Sequence, residues 1–190
     1  MASHVALLRG INVGGRNQVP MAKLREVVTA LGYGGVRTYI QSGNVLFSTA
    51  EGDTARLAAA LERAVADAFG LAASVVVVSR DELAQILEGN PYPDEPNPKL
   101  VHVVFLNAEP PPDLLERIKA AQSAASAKGS RDSVTAAGPA LFLHTPDGYG
   151  TSELAQVLFR VIGAPGKTGV AATARNWATA TKLLALCEEK

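Results

Sequence analysis

The chain has 190 residues, 47% of them apolar and 19% charged, which is enough apolar sequence to bury a core and excludes a disordered chain. Its 18 basic residues balance 18 acidic ones, which disfavours a polybasic protein whose affinity for nucleic acid comes from neutralised phosphates. The single cysteine, Cys187, excludes an internal disulfide, and no apolar run reaches the roughly 20 residues of a membrane span. We therefore expect a cytoplasmic protein that does not enter a membrane.

The elements predicted for the first half of the chain follow the order β-α-β-β-α-β. Apolar patterns predict strands over residues 4–9, 36–40, 44–48 and 74–79, and helices over residues 21–31 and 54–69. Pro20 suits the start of the first helix, and Gly32 suits its end. Ser79 and Glu82 form a capping box that predicts another short helix over residues 81–88. This order is that of a split βαβ, or ferredoxin-like, module.

The second half of the chain repeats this order after a proline-rich stretch. Strands are predicted over residues 100–106, 133–136, 140–144 and 169–172, and helices over residues 113–126, 151–162 and 176–188. Gly43 aligns with Gly138, and Arg80 with Arg175, at a constant offset of 95 residues. We therefore expect an α+β fold with an internal repeat: two tandem ferredoxin-like modules, each an antiparallel sheet with helices on one face. Their predicted boundaries are residues 1–89 and 100–190, joined by a stiff linker over residues 90–99.

The most concentrated polar chemistry lies in the loop after the first strand, residues 9–16. Glycine allows backbone N–H groups to turn toward a ligand, and the loop contains Gly10, Gly14 and Gly15. Arg9 and Arg16 add guanidinium groups that recognise phosphate or carboxylate, and Asn12 adds an amide. The spacing matches neither a Walker motif nor GxGxxG, so a tight surface loop with solvated arginines is the alternative interpretation.

The predicted topology gives this loop specific neighbours. In a split βαβ module the first two strands run parallel with the third between them, so the loop should lie beside the turn over residues 41–44. The predicted ligand-binding residues are Arg9, Gly10, Asn12, Gly14, Gly15, Arg16, Arg37, Gln41, Ser42 and Asn44. Amides, a hydroxyl and arginines suit a phosphate, a carboxylate or a nucleobase. No carboxylate, histidine or thiol accompanies them, so no catalytic residue is assigned.

A second polar cluster surrounds the start of the last helix and consists of Arg175, Asn176, Trp177 and Lys182. For Trp177 an anchoring role in the core is favoured, because large aromatic side chains usually pack. The glycine-rich loop over residues 146–153 offers an anion cradle, although a turn followed by a helix cap is the favoured interpretation. His102 and His144 lack a third ligand of recognisable spacing, so neither a metal site nor a cofactor is predicted.

Three functions remain open. The leading hypothesis is a binder of a small anionic or nucleotide-like ligand at the first loop. The alternatives are an enzyme of unknown reaction that uses Arg9 and Lys182 to stabilise charge, and an interaction or scaffold module, monomeric or homodimeric. Nucleic acid is disfavoured by the zero net charge and by the strands, because the first has no aromatic residue and the third has only Phe47, on its core side.

Several motifs together resemble a known family. They are Leu8-Arg9-Gly10-Ile11-Asn12-Val13-Gly14-Gly15, Val19-Pro20-Met21, Tyr39-Ile40-Gln41-Ser42-Gly43-Asn44-Val45, Pro146-Asp147-Gly148-Tyr149-Gly150 and Arg175-Asn176-Trp177. The chain resembles, over nearly its whole length, the bacterial family catalogued as domain of unknown function 1697. The resemblance implies two ferredoxin-like halves and no established activity.

Overall fold

The computed structural model describes residues 1–163 and 170–189. Within these residues the chain forms eight β-strands and six α-helices. Its contacts divide it into two compact units, one containing Met1–Ala84 and the chain from Lys182 onward, the other Gln85–Thr181. None of the helices in the described ranges combines the length and hydropathy that crossing a bilayer requires.

The elements of the first half are β1 (His4–Leu8), α1 (Met21–Ala30), β2 (Gly34–Tyr39), β3 (Asn44–Ser48), α2 (Thr54–Phe69), β4 (Val75–Ser79) and α3 (Arg80–Glu88). The four strands form one sheet in the order β2-β3-β1-β4. Every neighbouring pair is antiparallel, so β1 and β2 run parallel with β3 between them, as predicted. The end of β1 and the turn between β2 and β3 therefore meet at one edge of the sheet.

The core of the first unit lies between one face of this sheet and helices α1 and α2. Leu24 and Val28 of α1 and Leu57 and Leu61 of α2 are buried in one cluster with Phe47 of β3. Fully burying an aliphatic side chain of this size stabilises the fold by about 1.5–3 kcal/mol. All five residues of β1 are buried, so the central strand is covered on both faces. Phe47 is therefore unavailable for stacking on a base, as the sequence predicted.

Local capping sets the ends of two helices. The Asp53 carboxylate accepts hydrogen bonds from the backbone N–H groups of Ala55 and Arg56, both at 3.0 Å, and so begins α2. The predicted capping box of α3 is confirmed: Ser79 Oγ accepts from Glu82 N at 3.1 Å, and Glu82 Oε2 accepts from Ser79 N at 2.7 Å. Each contact satisfies a backbone donor that the first turn of a helix leaves unpaired.

The second half contains β5 (Val101–Leu106), α4 (Pro112–Ala127), β6 (Ser133–Ala137), β7 (Ala140–His144), α5 (Glu153–Ile162), β8 (Ala172–Asn176) and α6 (Trp177–Glu188). Its strands form a second antiparallel sheet in the order β6-β7-β5-β8. This is the same strand order as in the first sheet. Leu141, Leu143 and Val104 pack against Leu114 and Leu158 in a second core.

Two predicted boundaries in the second half are wrong. The last strand was expected over residues 169–172, of which 169 lies outside the described residues; the observed strand begins at Ala172 and ends at Asn176. Its alanines have weak strand propensity, so the sequence did not indicate these bounds; pairing with β5 stabilises the strand. Helix α5 begins at Glu153 rather than residue 151, because Ser152 caps it: its Oγ accepts a hydrogen bond from Ala155 N at 2.8 Å.

Candidate ligand-binding site

The loop after β1 (residues 9–19, hereafter the Arg9 loop) closes on itself through backbone and amide hydrogen bonds. Arg16 N donates to Val13 O at 3.0 Å, and Asn12 N donates to Asn17 O at 3.0 Å. Asn17 Nδ2 donates to Gly10 O at 2.8 Å. The loop is therefore a small structured hairpin whose tip lies at residues 13–16.

Asn12 joins the Arg9 loop to the turn between β2 and β3 (residues 40–44, hereafter the Gln41 turn). Its Nδ2 donates to Gln41 O at 2.8 Å and to Val19 O at 3.0 Å. Its Oδ1 accepts from Val19 N at 2.8 Å. The sequence assigned Asn12 to ligand binding; in the structure its amide is engaged with the protein and positions the loop.

The Gln41 turn is held from inside by Asn44. This residue is fully buried, and its Nδ2 donates to Tyr39 O and to Ser42 Oγ, both at 3.0 Å. Gly43 has φ +75°, and a Cβ added there would lie 2.8 Å from Leu8 Cβ. Position 43 requires glycine because the turn lies so close to the end of β1. At this point Leu8 N donates to Gly43 O at 2.8 Å. Asn44 and Gly43 thus shape the turn from within.

Left-handed backbone at non-glycine residues is concentrated around this edge of the sheet. Within the described ranges the residues concerned are Asn12, Asn17 and Ile40, with φ of 54°, 51° and 49°. Asparagine tolerates this conformation, whereas a β-branched residue such as isoleucine is strained in it. Ile40 is also 50% exposed, and Val13 at the tip of the Arg9 loop is 66% exposed. Strained backbone of this kind clusters at functional sites.

A pocket of about 320 Å³ opens between the loop and the turn, hereafter the rim pocket. Its lining residues are Asn12, Gly15, Gln18, Val19, Pro20 and Gln41. The side-chain amides of Gln18 and Gln41 have no hydrogen-bond partner among the described residues. The sequence analysis did not include Gln18 among the site residues, although it lies in the Arg9 loop two residues before Pro20.

The three arginines predicted for this site have different surroundings. Arg16 is exposed at the tip of the Arg9 loop, and Arg9 is half-buried with its backbone N–H bonded to Ser74 O at 2.8 Å. Arg37 is not brought to the pocket. It lies opposite Leu46 on the face of the sheet turned away from α1 and α2, and it donates to Leu186 O near the end of α6. Strand alternation is the reason, because Val36 takes the face that packs on the core.

The second predicted cluster is engaged in structural contacts. Arg175 is 9% exposed and donates to Thr173 Oγ1 at 2.8 Å, and burial lowers its pKa to about 10. Asn176 Oδ1 accepts from the backbone N–H of Thr179 at 2.8 Å and so caps α6. Trp177 packs near Phe142, with ring centroids 6.5 Å apart. Lys182 forms an ion pair with Glu189 at 3.4 Å.

The titratable groups with the clearest shifts lie outside the rim pocket. His102 stacks on Tyr149 with ring centroids 4.2 Å apart, and burial lowers its pKa to about 4, so it is neutral at pH 7. A hydrogen bond from the backbone N–H of Asn97 and one with His144 Nε2 at 2.7 Å lower the pKa of the Glu95 carboxyl. The Cys187 thiol is buried, and burial raises its pKa, which disfavours a reactive thiolate. The lining of the rim pocket contains amide and apolar groups instead.

Fold and site together define an α+β protein with two four-stranded antiparallel sheets and a polar pocket at one edge of the first sheet. The chain belongs to the family described as protein of unknown function (DUF1697), whose model matches residues 1–137 and so includes the Arg9 loop and the Gln41 turn. The structure of the conserved bacterial protein SP0830 from Streptococcus pneumoniae is similar, with a TM-score of 0.70. That protein is 24% identical, and the match covers 98% of this chain and 99% of that chain, which supports the fold alone. The comparison with curated proteins gives no match.

Proposed function

We propose that the rim pocket binds a small anionic or nucleotide-like ligand. The observation that carries this proposal is the contact made by Asn12, whose Nδ2 donates to Gln41 O at 2.8 Å. This bond joins a loop rich in glycine and arginine to a turn that presents a free amide. A pocket whose walls are joined in this way is preformed, so binding does not require the loop to become ordered first.

The tip of the Arg9 loop provides the donors that an anion needs. The backbone N–H groups of Gly14 and Gly15 have no hydrogen-bond partner among the described residues, and both glycines are exposed with positive φ. Successive N–H groups in such a conformation form a concave site for anions. The exposed Arg16 guanidinium beside them adds charge-assisted hydrogen bonds to a phosphate or carboxylate.

The remainder of the pocket suits a planar polar ring better than a second phosphate. Gln18 and Gln41 present side-chain amides, which donate to and accept from the edge of a nucleobase. Ile40, which is 50% exposed, directly precedes Gln41 and offers apolar surface to the ring. Residues 9–19 and 40–44 contain no carboxylate, imidazole or thiol, so the pocket supplies hydrogen bonds and positive charge rather than proton transfer.

Calorimetric titration of the full chain with inorganic phosphate, ribose 5-phosphate and AMP tests the proposal. Arg16→Ala and Arg9→Ala should each weaken AMP binding about tenfold, since a hydrogen bond to a charged group contributes about 1.5–3 kcal/mol. Arg63→Ala is the matched control, because Arg63 is an exposed arginine of α2 with no described ion pair. Equal affinities for all four proteins, or no binding by the wild type, would refute the proposal.

A second set of variants separates a nucleotide from a simple phosphate. Gln18→Met and Gln41→Met keep the side-chain length and remove the amides. If a base occupies the pocket, AMP binds more tightly than ribose 5-phosphate to the wild type, and both variants reduce that difference. An unchanged difference would assign the preference to another surface.

A further inference from the structure

A separate cavity of about 280 Å³ lies in the second unit, between the end of α4 and the start of α5 (hereafter the α4–α5 cavity). Its lining includes Lys128 and Ser130 after α4, Asp132, Asp147 in the glycine-rich loop, and Glu153 in the first turn of α5. It shares no residue with the rim pocket. The glycine-rich loop suggested an anion cradle, but three carboxylates and one lysine line the cavity, which makes it unfavourable for an anion.

Asp132 is the buried member of this lining, with 9% of its surface exposed. Its Oδ2 accepts a hydrogen bond from Ser152 Oγ at 2.7 Å, and Ser152 Oγ in turn accepts from Ala155 N at 2.8 Å. Its other oxygen, Oδ1, has no hydrogen-bond partner among the described residues. Among those residues, the completely buried side-chain atoms without a hydrogen-bond partner are Ser74 Oγ and His102 Nδ1. Asp132 Oδ1 is not one of them, so it is accessible from the cavity that Asp132 lines.

The cations near the mouth of the cavity have partners of their own. Lys128 Nζ pairs with Glu153 at 3.2 Å, and the Arg131 guanidinium forms a two-pronged ion pair with Asp147. Within residues 1–163 and 170–189, no lysine or arginine pairs with Asp132. A buried carboxylate without a cationic partner is costly, and a bound cation relieves that cost.

We infer that the α4–α5 cavity binds an organic cation, a primary ammonium on a short flexible chain, whose N–H groups donate to Asp132 Oδ1. A metal ion fits less well, because the described residues contain no group of three His, Cys, Asp or Glu side chains able to hold one. The volume accommodates a chain of a few carbon atoms. A second ammonium at the far end of the ligand would meet Glu153 and Asp147 at the mouth. The inference is independent of the proposed function of the rim pocket.

The probe is 1,4-diaminobutane, titrated into the isotope-labelled full chain while backbone amide shifts are recorded. Saturable shifts are expected at Ser130, Gly148 and Thr151, which line the cavity. Butane-1,4-diol has the same length without charge and should give no saturable shift. Saturation by the diol at the same concentrations, or no saturation by the diamine, would overturn the inference without any variant.

Asp132→Asn provides the matched perturbation, because asparagine keeps the size of the side chain and an acceptor for the Ser152 hydroxyl. Diamine affinity should fall about tenfold or more, as expected for a lost hydrogen bond to a charged group. Asp94→Asn removes an equal charge from an exposed position outside the cavity and should retain wild-type affinity. Wild-type affinity in a folded Asp132→Asn protein, or an equal loss in Asp94→Asn, would contradict the inference.

Discussion

The two asparagines of the Arg9 loop allow the contribution of Asn12 to be measured against an internal standard. Both have left-handed backbone, with φ of 54° at Asn12 and 51° at Asn17, so glycine replaces either without new strain. Asn12→Gly removes three side-chain hydrogen bonds, to Val19 and Gln41, whereas Asn17→Gly removes one, to Gly10. Each hydrogen bond contributes about 0.5–1.5 kcal/mol to stability, and nearer the lower value where water replaces it. We therefore expect the free energy of unfolding to fall by about 2 kcal/mol in Asn12→Gly and by about 1 kcal/mol in Asn17→Gly.

Denaturant unfolding followed by circular dichroism measures these losses, and hydrogen exchange locates them. The Val19 amide donates to Asn12 Oδ1, so its exchange should accelerate in Asn12→Gly and change little in Asn17→Gly. Asn12→Ala should cost about 1–2 kcal/mol more than Asn12→Gly, because alanine is strained at positive φ. If Asn12→Gly is no more destabilising than Asn17→Gly, Asn12 does not join the loop to the turn.

Three further predictions concern local features and are tested by denaturant unfolding. Gly43→Ala should destabilise the protein by about 3 kcal/mol or more, because its Cβ would lie 2.8 Å from the Cβ of Leu8. Gly14→Ala, which places its Cβ in open space, should cost about 1–2 kcal/mol. Equal losses would contradict the close approach at Gly43. Because burial lowers the pKa of His102 from 6.5 to about 4, this residue should lower the unfolding free energy by up to about 3 kcal/mol between pH 6.5 and 4. The pH dependence of His102→Phe should be smaller than that of the wild type by this amount. Ser152→Ala should cost about 2–4 kcal/mol and Asp53→Ala about 1 kcal/mol, since Ser152 also bonds a buried carboxylate; the reverse order would contradict that role.

Regular periodicity allowed much of the fold to be predicted. The apolar spacing of Leu57, Leu61 and Val65 predicts α2 over residues 54–69, and the structure has the same bounds. The topology of the first half then placed the Arg9 loop beside the Gln41 turn, and Asn12 makes that contact. The last strand was predicted over residues 169–172 instead of Ala172–Asn176, because Ala172 and Ala174 have little strand propensity of their own and depend on pairing with β5.

The candidate site was less predictable than the fold, because hydrogen-bond partners depend on three-dimensional detail. No sequence pattern indicates that both the Nδ2 and the Oδ1 of Asn12 are hydrogen-bonded to the protein, or that Asn44 is fully buried. The sequence could have predicted that Arg37 faces away from the core, because the adjacent Val36 is apolar and therefore lies on the core face. The open oxygen of Asp132 is beyond sequence reasoning, because it depends on where the hydroxyl of Ser152 points.

Backbone amide shifts on titration with AMP show whether the ligand lies in the rim pocket. On titration of the isotope-labelled chain with AMP, saturable shifts should appear together at Gly14 and Gly15 of the Arg9 loop and at Gln41 of the turn. Arg16→Ala should weaken all of them by the same factor, because one ligand contacts both walls of the rim pocket. Shifts confined to the second unit, or no saturable shift at any of these amides, would show that AMP does not bind in the rim pocket.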